Sequence, residues 1–161
     1  MNDQQRAFLA QANSDYEILR YLKDKAPCHQ LHYLQMCTEK LGKAYFKRQT
    51  DTKVDGSHAF FVKFLRAISA SGAARDGLGF KRTESFEDFI RSLLPLAYDL
   101  ERIVPDLAGE GPNPEYPFPR SKPTTAPVDY DFSLWRDLQT PRGKRLQSLI
   151  GDILARFHEW F

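Results

Sequence analysis

Residues 31–45 read LHYLQMCTEKLGKAY, and their apolar positions repeat with the period of an α-helix. Spacings of three and four alternate along one seam, which is formed by Leu31, Leu34, Thr38, Leu41 and Tyr45. A seam of this kind faces the core when the segment is helical. Pro27 suits the first turn, where an amide donor is not needed. The pattern therefore predicts a core helix that begins near Pro27.

Similar stripes on both sides of this segment predict further helices. The first stripe comprises Phe8, Ala12, Tyr16, Leu19 and Leu22. A third helix, capped by Ser57, would carry Phe61, Phe64, Leu65 and Ile68. A fourth helix, starting at Ser85 and ending at Gly109 and Gly111, would carry Phe86, Phe89, Ile90, Leu93, Ala97, Leu100 and Val104. Pro95 predicts a kink or a split within it.

The remaining segments predict connections and one last helix. Residues 71–83 lose the apolar pattern and predict a connection. Residues 112–127 hold six of the ten prolines and predict a long loop packed across the other helices. Thr140 as cap and Pro141 in the first turn open a helix whose inward residues are Leu146, Leu149, Ile150, Ile153, Leu154 and Phe157. The sequence thus predicts an all-α bundle of about five helices in one domain, residues 1–161.

Composition excludes several classes of protein. Of the 161 residues, 27% are charged and 42% hydrophobic, which fits neither a disordered tail nor a fibre. A net charge of +2 requires neither a nucleic-acid partner nor an acidic substrate. The apolar runs are too short for a bilayer span, and the N-terminus lacks the pattern of a signal peptide. We therefore expect a cytoplasmic protein without a membrane partner.

Cys28, His29 and His32 form a weak candidate for a metal site. Two of these side chains could share one helix face, but a site needs further ligands from Cys37, His58 or an acid. A buried thiol beside two surface histidines explains the same residues, so we expect no metal and no other cofactor. Cys28 and Cys37 lie about 13 Å apart along a helix, too far for a disulfide.

The polar residues of the second helix are the main candidate for binding. Gln35, Glu39 and Lys43 follow one another at spacings of four, so they share one side of the helix. Lys47 and Arg48, one turn further on, could accept a phosphate. A solvated helix face, without any function, is the alternative interpretation.

Residues 35–45 resemble the second-helix signature of HEPN domains. That signature has Gln, then an acid–Lys pair as in Glu39-Lys40, then Lys-Ala and an aromatic or aliphatic residue. Ala12-x-x-Asp15 is similar to the family's first helix, and His58 is similar to the histidine that often opens its third helix. Glu115-Tyr116-Pro117 resembles a Tyr-Pro element found before the last helix in many members.

The resemblance implies an up-and-down helical bundle that forms a homodimer. It also implies a role in a bacterial toxin–antitoxin, stress or defence system, with an RNA or nucleotide ligand and a nucleotidyltransferase or antitoxin as partner protein. Nucleotide- or RNA-binding residues would be Gln35, Glu39, Lys43, Lys47, Arg48 and His58.

Ribonuclease members of the family carry Arg, four to six residues, then His, and no histidine of this sequence has an arginine at that spacing. Arg156-Phe157-His158 comes nearest, and it is better explained as a cationic helix end. We therefore expect a non-catalytic module that binds nucleotide or RNA, or interacts with a protein. The alternatives are a ribonuclease toxin with a degenerate site and a purely structural partner protein.

Overall fold

The structure, a computed structural model, describes residues 1–47, 60–119 and 123–161. Within these ranges it is all-α, and the residues outside helices form only one isolated antiparallel bridge, between Phe118 and Thr125. The helices are α1 (Asp3–Tyr21), α2 (Pro27–Phe46), α3 (Phe61–Ile68), α4 (Gly72–Gly77), α5 (Thr83–Arg102), α6 (Pro105–Ala108), α7 (Ser133–Gln139) and α8 (Pro141–Trp160), with a 3-10 helix at Pro127–Asp129. The five predicted helices correspond to α1, α2, α3, α5 and α8, whereas α4, α6 and α7 were not predicted.

The α1–α2 pair makes the most extensive helix–helix contact in the fold. The predicted seam of α2 is confirmed, since all five of its residues are buried. On α1 the core side is centred on Leu9 and Ala12, while Phe8, Tyr16 and Leu19 are partly buried against the core. Thr38 shows how the seam accommodates a polar residue, because its hydroxyl donates to the Gln35 carbonyl at 2.9 Å.

The predicted core face of α5 packs against both α3 and α8, and α2 packs against α3 and α5. Every residue of the predicted α3 and α8 stripes is buried, and so are most of those on α5. Phe61, Phe64, Phe86 and Phe157 are each fully buried. Burying a side chain of this size contributes about 2–3 kcal/mol. Aromatic side chains thus form much of the centre of the fold.

Several predicted boundaries are wrong. α3 begins at Phe61 with Phe60 as its N-cap residue, not at Ser57, which lies outside the described residues. α5 begins at Thr83, not after Ser85, and it ends at Arg102, not at Gly109. It does not split at Pro95, because this residue is exposed and water can satisfy the carbonyl that loses its donor. Gly109, with φ 58°, ends α6 instead.

The connection predicted at residues 71–83 contains α4. Ser71 provides the N-cap, because its hydroxyl accepts a hydrogen bond from the Ala74 amide at 3.2 Å. Ala74 is fully buried, and Gly77 lies against Trp160, where a Cβ would come within 2.5 Å of the indole nitrogen. Gly77 therefore permits this short helix to approach α8 closely.

The Pro-rich segment packs on the helices as predicted. Phe118 is 1% exposed, and its ring contacts Tyr130, which in turn contacts Phe132. Asn113 is buried, and its side-chain oxygen accepts from the Glu115 and Tyr116 amides at 3.0 and 2.8 Å. Such a local turn lets a proline-rich chain bury side chains without a helix.

The predicted start of α8 is confirmed. Thr140 caps the helix by accepting a hydrogen bond from the Gly143 amide at 3.2 Å, and Pro141 follows it in the first turn. Among the described residues, no helix is both long and apolar enough to cross a membrane.

Candidate functional site

The structure brings three of the six predicted binding residues together on α2. The Gln35 amide donates to Glu39 Oε2 at 3.0 Å, and the Lys43 ammonium donates to Glu39 Oε1 at 2.5 Å. Gln35 is only 2% exposed and Glu39 only 7%. The interpretation of this row as a solvated face is therefore wrong. Charge-assisted hydrogen bonds inside the protein hold these side chains in a fixed arrangement.

Phe60 lies against the same side of α2. A Cβ on Gly42 would come within 2.8 Å of the Phe60 carbonyl oxygen, so only glycine permits this approach. The Phe60 ring centroid lies 5.7 Å from the Lys43 ammonium and 5.7 Å from the Lys63 ammonium. At this distance an aromatic ring attracts a cation. Phe60 thus lies against the Lys43 end of this polar row, where Gly42 leaves room for it.

A second polar contact joins α1 to α2. Asp15 is 4% exposed, and its Oδ2 lies 2.9 Å from the Lys40 ammonium, although the angle is poor for a hydrogen bond. The other oxygen of Asp15 accepts from the Gln11 amide at 3.1 Å. Burial raises the pKa of the neighbouring Cys37 thiol, and the charge of Asp15 raises it further while Lys40 opposes. Cys37 is therefore a protonated thiol at neutral pH.

No protein-family model, curated protein or solved structure matches the chain.

The other predicted binding residues lie towards the end of α2 or beyond it. Lys47 is the C-cap residue of α2 and is partly buried, and its carbonyl accepts from the Asn2 side chain at 2.7 Å. Arg48 and His58 lie outside the described residues. The role of all six residues in binding stays a prediction.

Arg156 connects α8 to α4. Its guanidinium donates to the Gly77 carbonyl at 2.7 Å and to Asp152 Oδ1 at 2.9 Å, and it lies 4.8 Å from the centre of a Trp160 ring. His158, two residues further on, is exposed. The sequence interpretation of a cationic helix end missed this contact, because Gly77 is 79 residues away in the chain.

The three residues of the candidate metal site lie in different surroundings. Cys28 is buried, His29 is exposed, and His32 Nδ1 lies 3.3 Å from Glu115 Oε1. Within residues 1–47, 60–119 and 123–161, no three potential ligands come together. Cys28 and Cys37 are both free thiols, as the predicted helix requires.

Glu101 is a buried capping side chain that the sequence analysis missed. It is 6% exposed, and its Oε1 accepts a hydrogen bond from the Val62 amide at 2.8 Å, at the N-terminus of α3. Burial raises the pKa of Glu101, while hydrogen bonds from the Val62 and Phe61 amides and the charges of Lys63 and Arg66 oppose the shift. A carboxylate from α5 therefore supplies the cap that Phe60 lacks.

Replacing Glu101 with glutamine is expected to change how stability depends on pH. Because the folded state holds the proton on Glu101 more tightly than the unfolded state, its contribution to the free energy of unfolding falls as pH rises from the ordinary glutamate pKa through the raised one. Glu101→Gln keeps an acceptor for Val62 and cannot titrate. Urea unfolding across this pH range should show wild type losing stability, relative to Glu101→Gln, as pH rises. Parallel curves would contradict the expectation.

Proposed function

We propose that the chain is a HEPN-like helical module that binds a nucleotide or RNA and does not itself catalyse a reaction. In this proposal the helices form an up-and-down bundle, and the protein is a homodimer. It acts beside a nucleotidyltransferase or antitoxin partner in a bacterial stress or defence system.

The proposal rests on contacts between the residues that resemble the HEPN signature. Asp15 from the first-helix element contacts Lys40 from the second-helix element, and Glu39 joins Gln35 to Lys43. Five polar motif residues, one on α1 and four on α2, thus form one ion pair and two hydrogen bonds. A buried ion pair gives little net stability compared with apolar residues, so stability alone does not explain it. This arrangement supports a buried polar centre rather than a solvated surface.

The contacts of Arg156 support the absence of catalysis. A ribonuclease of this type would need an arginine to hold the phosphate and a histidine to transfer the proton. Arg156 instead donates to Gly77 and Asp152. Using this guanidinium for a substrate would break its hydrogen bonds to Gly77 and Asp152.

The test combines binding with cleavage. Wild-type protein is titrated with AMP and with a short single-stranded RNA at low salt, and the RNA is then analysed for breaks. We expect binding that weakens about tenfold between about 50 and 200 mM salt, because phosphate contacts release counterions, and we expect intact RNA. No binding of either ligand at low salt would contradict the proposal. RNA cleavage that is lost in His158→Ala or His58→Ala would favour the ribonuclease alternative.

A further inference from the structure

A cleft with a volume of about 270 Å³ lies where α1, α2, α7 and α8 meet. It opens beside a wider depression of about 760 Å³, and Arg20 and Lys23 line both. The cleft also contains Lys144 from α8, Trp135 from α7 and Gln30 from α2. Its size is close to the lower end of the range for small-molecule sites.

The cleft carries three cations that no carboxylate neutralises among the described residues. Arg20 and Lys23 form no ion pair there, and the Lys144 ammonium donates to the neutral Gln139 amide at 2.5 Å. Of the described residues, Glu17 is the one acid that lines the adjoining depression. Arg20, Lys23 and Lys144 are exposed, whereas the half-buried cations Lys40, Lys43 and Arg156 are each paired with a carboxylate. Three unneutralised cations around one cavity favour an anionic occupant.

The rest of the lining suits a planar, hydrogen-bonding group. Trp135 is partly buried and offers an aromatic surface on which a base can stack. The Gln147 amide nitrogen donates to the Leu138 carbonyl at 2.8 Å, and the Gln30 amide nitrogen donates to the Lys25 carbonyl at 2.8 Å. The side-chain oxygens of both glutamines are therefore left to accept from a ligand. The exocyclic amino group of a nucleobase is a donor of this kind.

We propose that this cleft binds a mononucleotide, with its phosphate held by Arg20, Lys23 and Lys144 and its base against Trp135. The inference rests on the proposed nucleotide-binding function. It gives the ligand a site other than Lys47 and Arg48, the basic residues that follow α2 in the sequence. Gln30 and Lys47 are separated by about 25 Å along α2, so one mononucleotide cannot contact both ends. The dimensions of the cleft suit one nucleotide rather than a continuous RNA chain.

The experiment uses AMP as the probe and isothermal titration calorimetry as the readout. The cleft variant is Arg20→Gln/Lys23→Gln, and the matched control is Lys81→Gln/Arg82→Gln, which removes two exposed charges elsewhere. A third variant, Lys47→Gln/Arg48→Gln, removes the two basic residues that follow α2 in the sequence. We expect the cleft variant to bind AMP at least about tenfold more weakly, and both other variants to stay within about twofold of wild type. Trp135→Leu should weaken AMP binding about tenfold through loss of stacking.

Each of the other possible results contradicts one specific part of the proposal. If wild type binds AMP and the cleft variants bind it equally well, the cleft is not the site, while the proposed function stands. If wild type binds the short RNA but not AMP, the mononucleotide assignment is wrong. If wild type binds neither, the proposed function fails as well. Circular dichroism checks the fold of each variant, and Lys144→Gln repeats the test with a single exposed substitution.

Discussion

Replacing Lys40 with methionine is expected to lower the free energy of unfolding by about 3 kcal/mol. Methionine keeps most of the length of the side chain but removes the charge that neutralises Asp15. The Asp15 carboxylate would then stay buried at 4% exposure, with only the Gln11 amide as a hydrogen-bond donor. An uncompensated buried charge is costly, which makes the loss much larger than the net contribution of the pair itself.

A pair on the surface provides the control for this experiment. Arg91 and Asp88 form an ion pair of similar length, 2.6 Å, with both side chains more than two-thirds exposed. Arg91→Met should cost less than about 0.5 kcal/mol, because water solvates the remaining carboxylate. The double variant Asp15→Leu/Lys40→Met should be more stable than Lys40→Met, since it leaves no buried charge. Equal losses in Lys40→Met and Arg91→Met, measured by urea unfolding, would show that the Asp15 charge is not desolvated.

Helical periodicity predicted the long helices because each one repeats its apolar residues over several turns. The seam from Leu31 to Tyr45 and the face from Leu146 to Phe157 needed no knowledge of other segments. α7 was missed for the opposite reason. Its seven residues include only two buried leucines, too few to show a period beside a proline-rich loop.

The contacts that form the candidate site could not be predicted from helical periodicity. Spacings of four placed Gln35, Glu39 and Lys43 on one side of α2, and the structure shows them joined by hydrogen bonds. The same spacings do not indicate which residues from the rest of the chain pack against that side of α2. Nothing in the sequence pattern singled out Glu101, because the Val62 amide that it caps lies 39 positions earlier in the chain.

The burial of this row changes how binding should be tested. Lys43→Ala would remove a hydrogen-bonded partner from Glu39, which is 7% exposed, and it would alter stability together with any ligand contact. A substitution at Lys47 leaves the Lys43–Glu39 contact in place. Arg20, Lys23 and Lys144 are exposed, so their substitution reports on the cleft without removing a buried partner.

Replacing Gly143 with alanine is expected to lower the free energy of unfolding by about 3 kcal/mol, because α7 and α8 meet at this residue. A Cβ at position 143 would lie 2.5 Å from the Asp137 carbonyl oxygen and would also collide with the Leu138 backbone. A flexible side chain could turn aside, but backbone atoms at the end of α7 cannot move without shifting the whole corner. The general preference of helices for alanine over glycine, about 1 kcal/mol, offsets only part of this clash.

Gly72→Ala is the matched control, since a Cβ on Gly72 has no neighbour within 4 Å. Alanine there should be neutral or should stabilise the protein by about 0.5 kcal/mol, because it restricts the unfolded chain without a clash. The two variants thus make the same chemical change in opposite surroundings, and urea unfolding compares them directly. If Gly143→Ala were as stable as Gly72→Ala, then α7 could move away from α8 at little cost. Trp135 and Lys144 would in that case not be held in a fixed relation across the cleft, and the tenfold effect expected for Trp135→Leu would lose its structural basis.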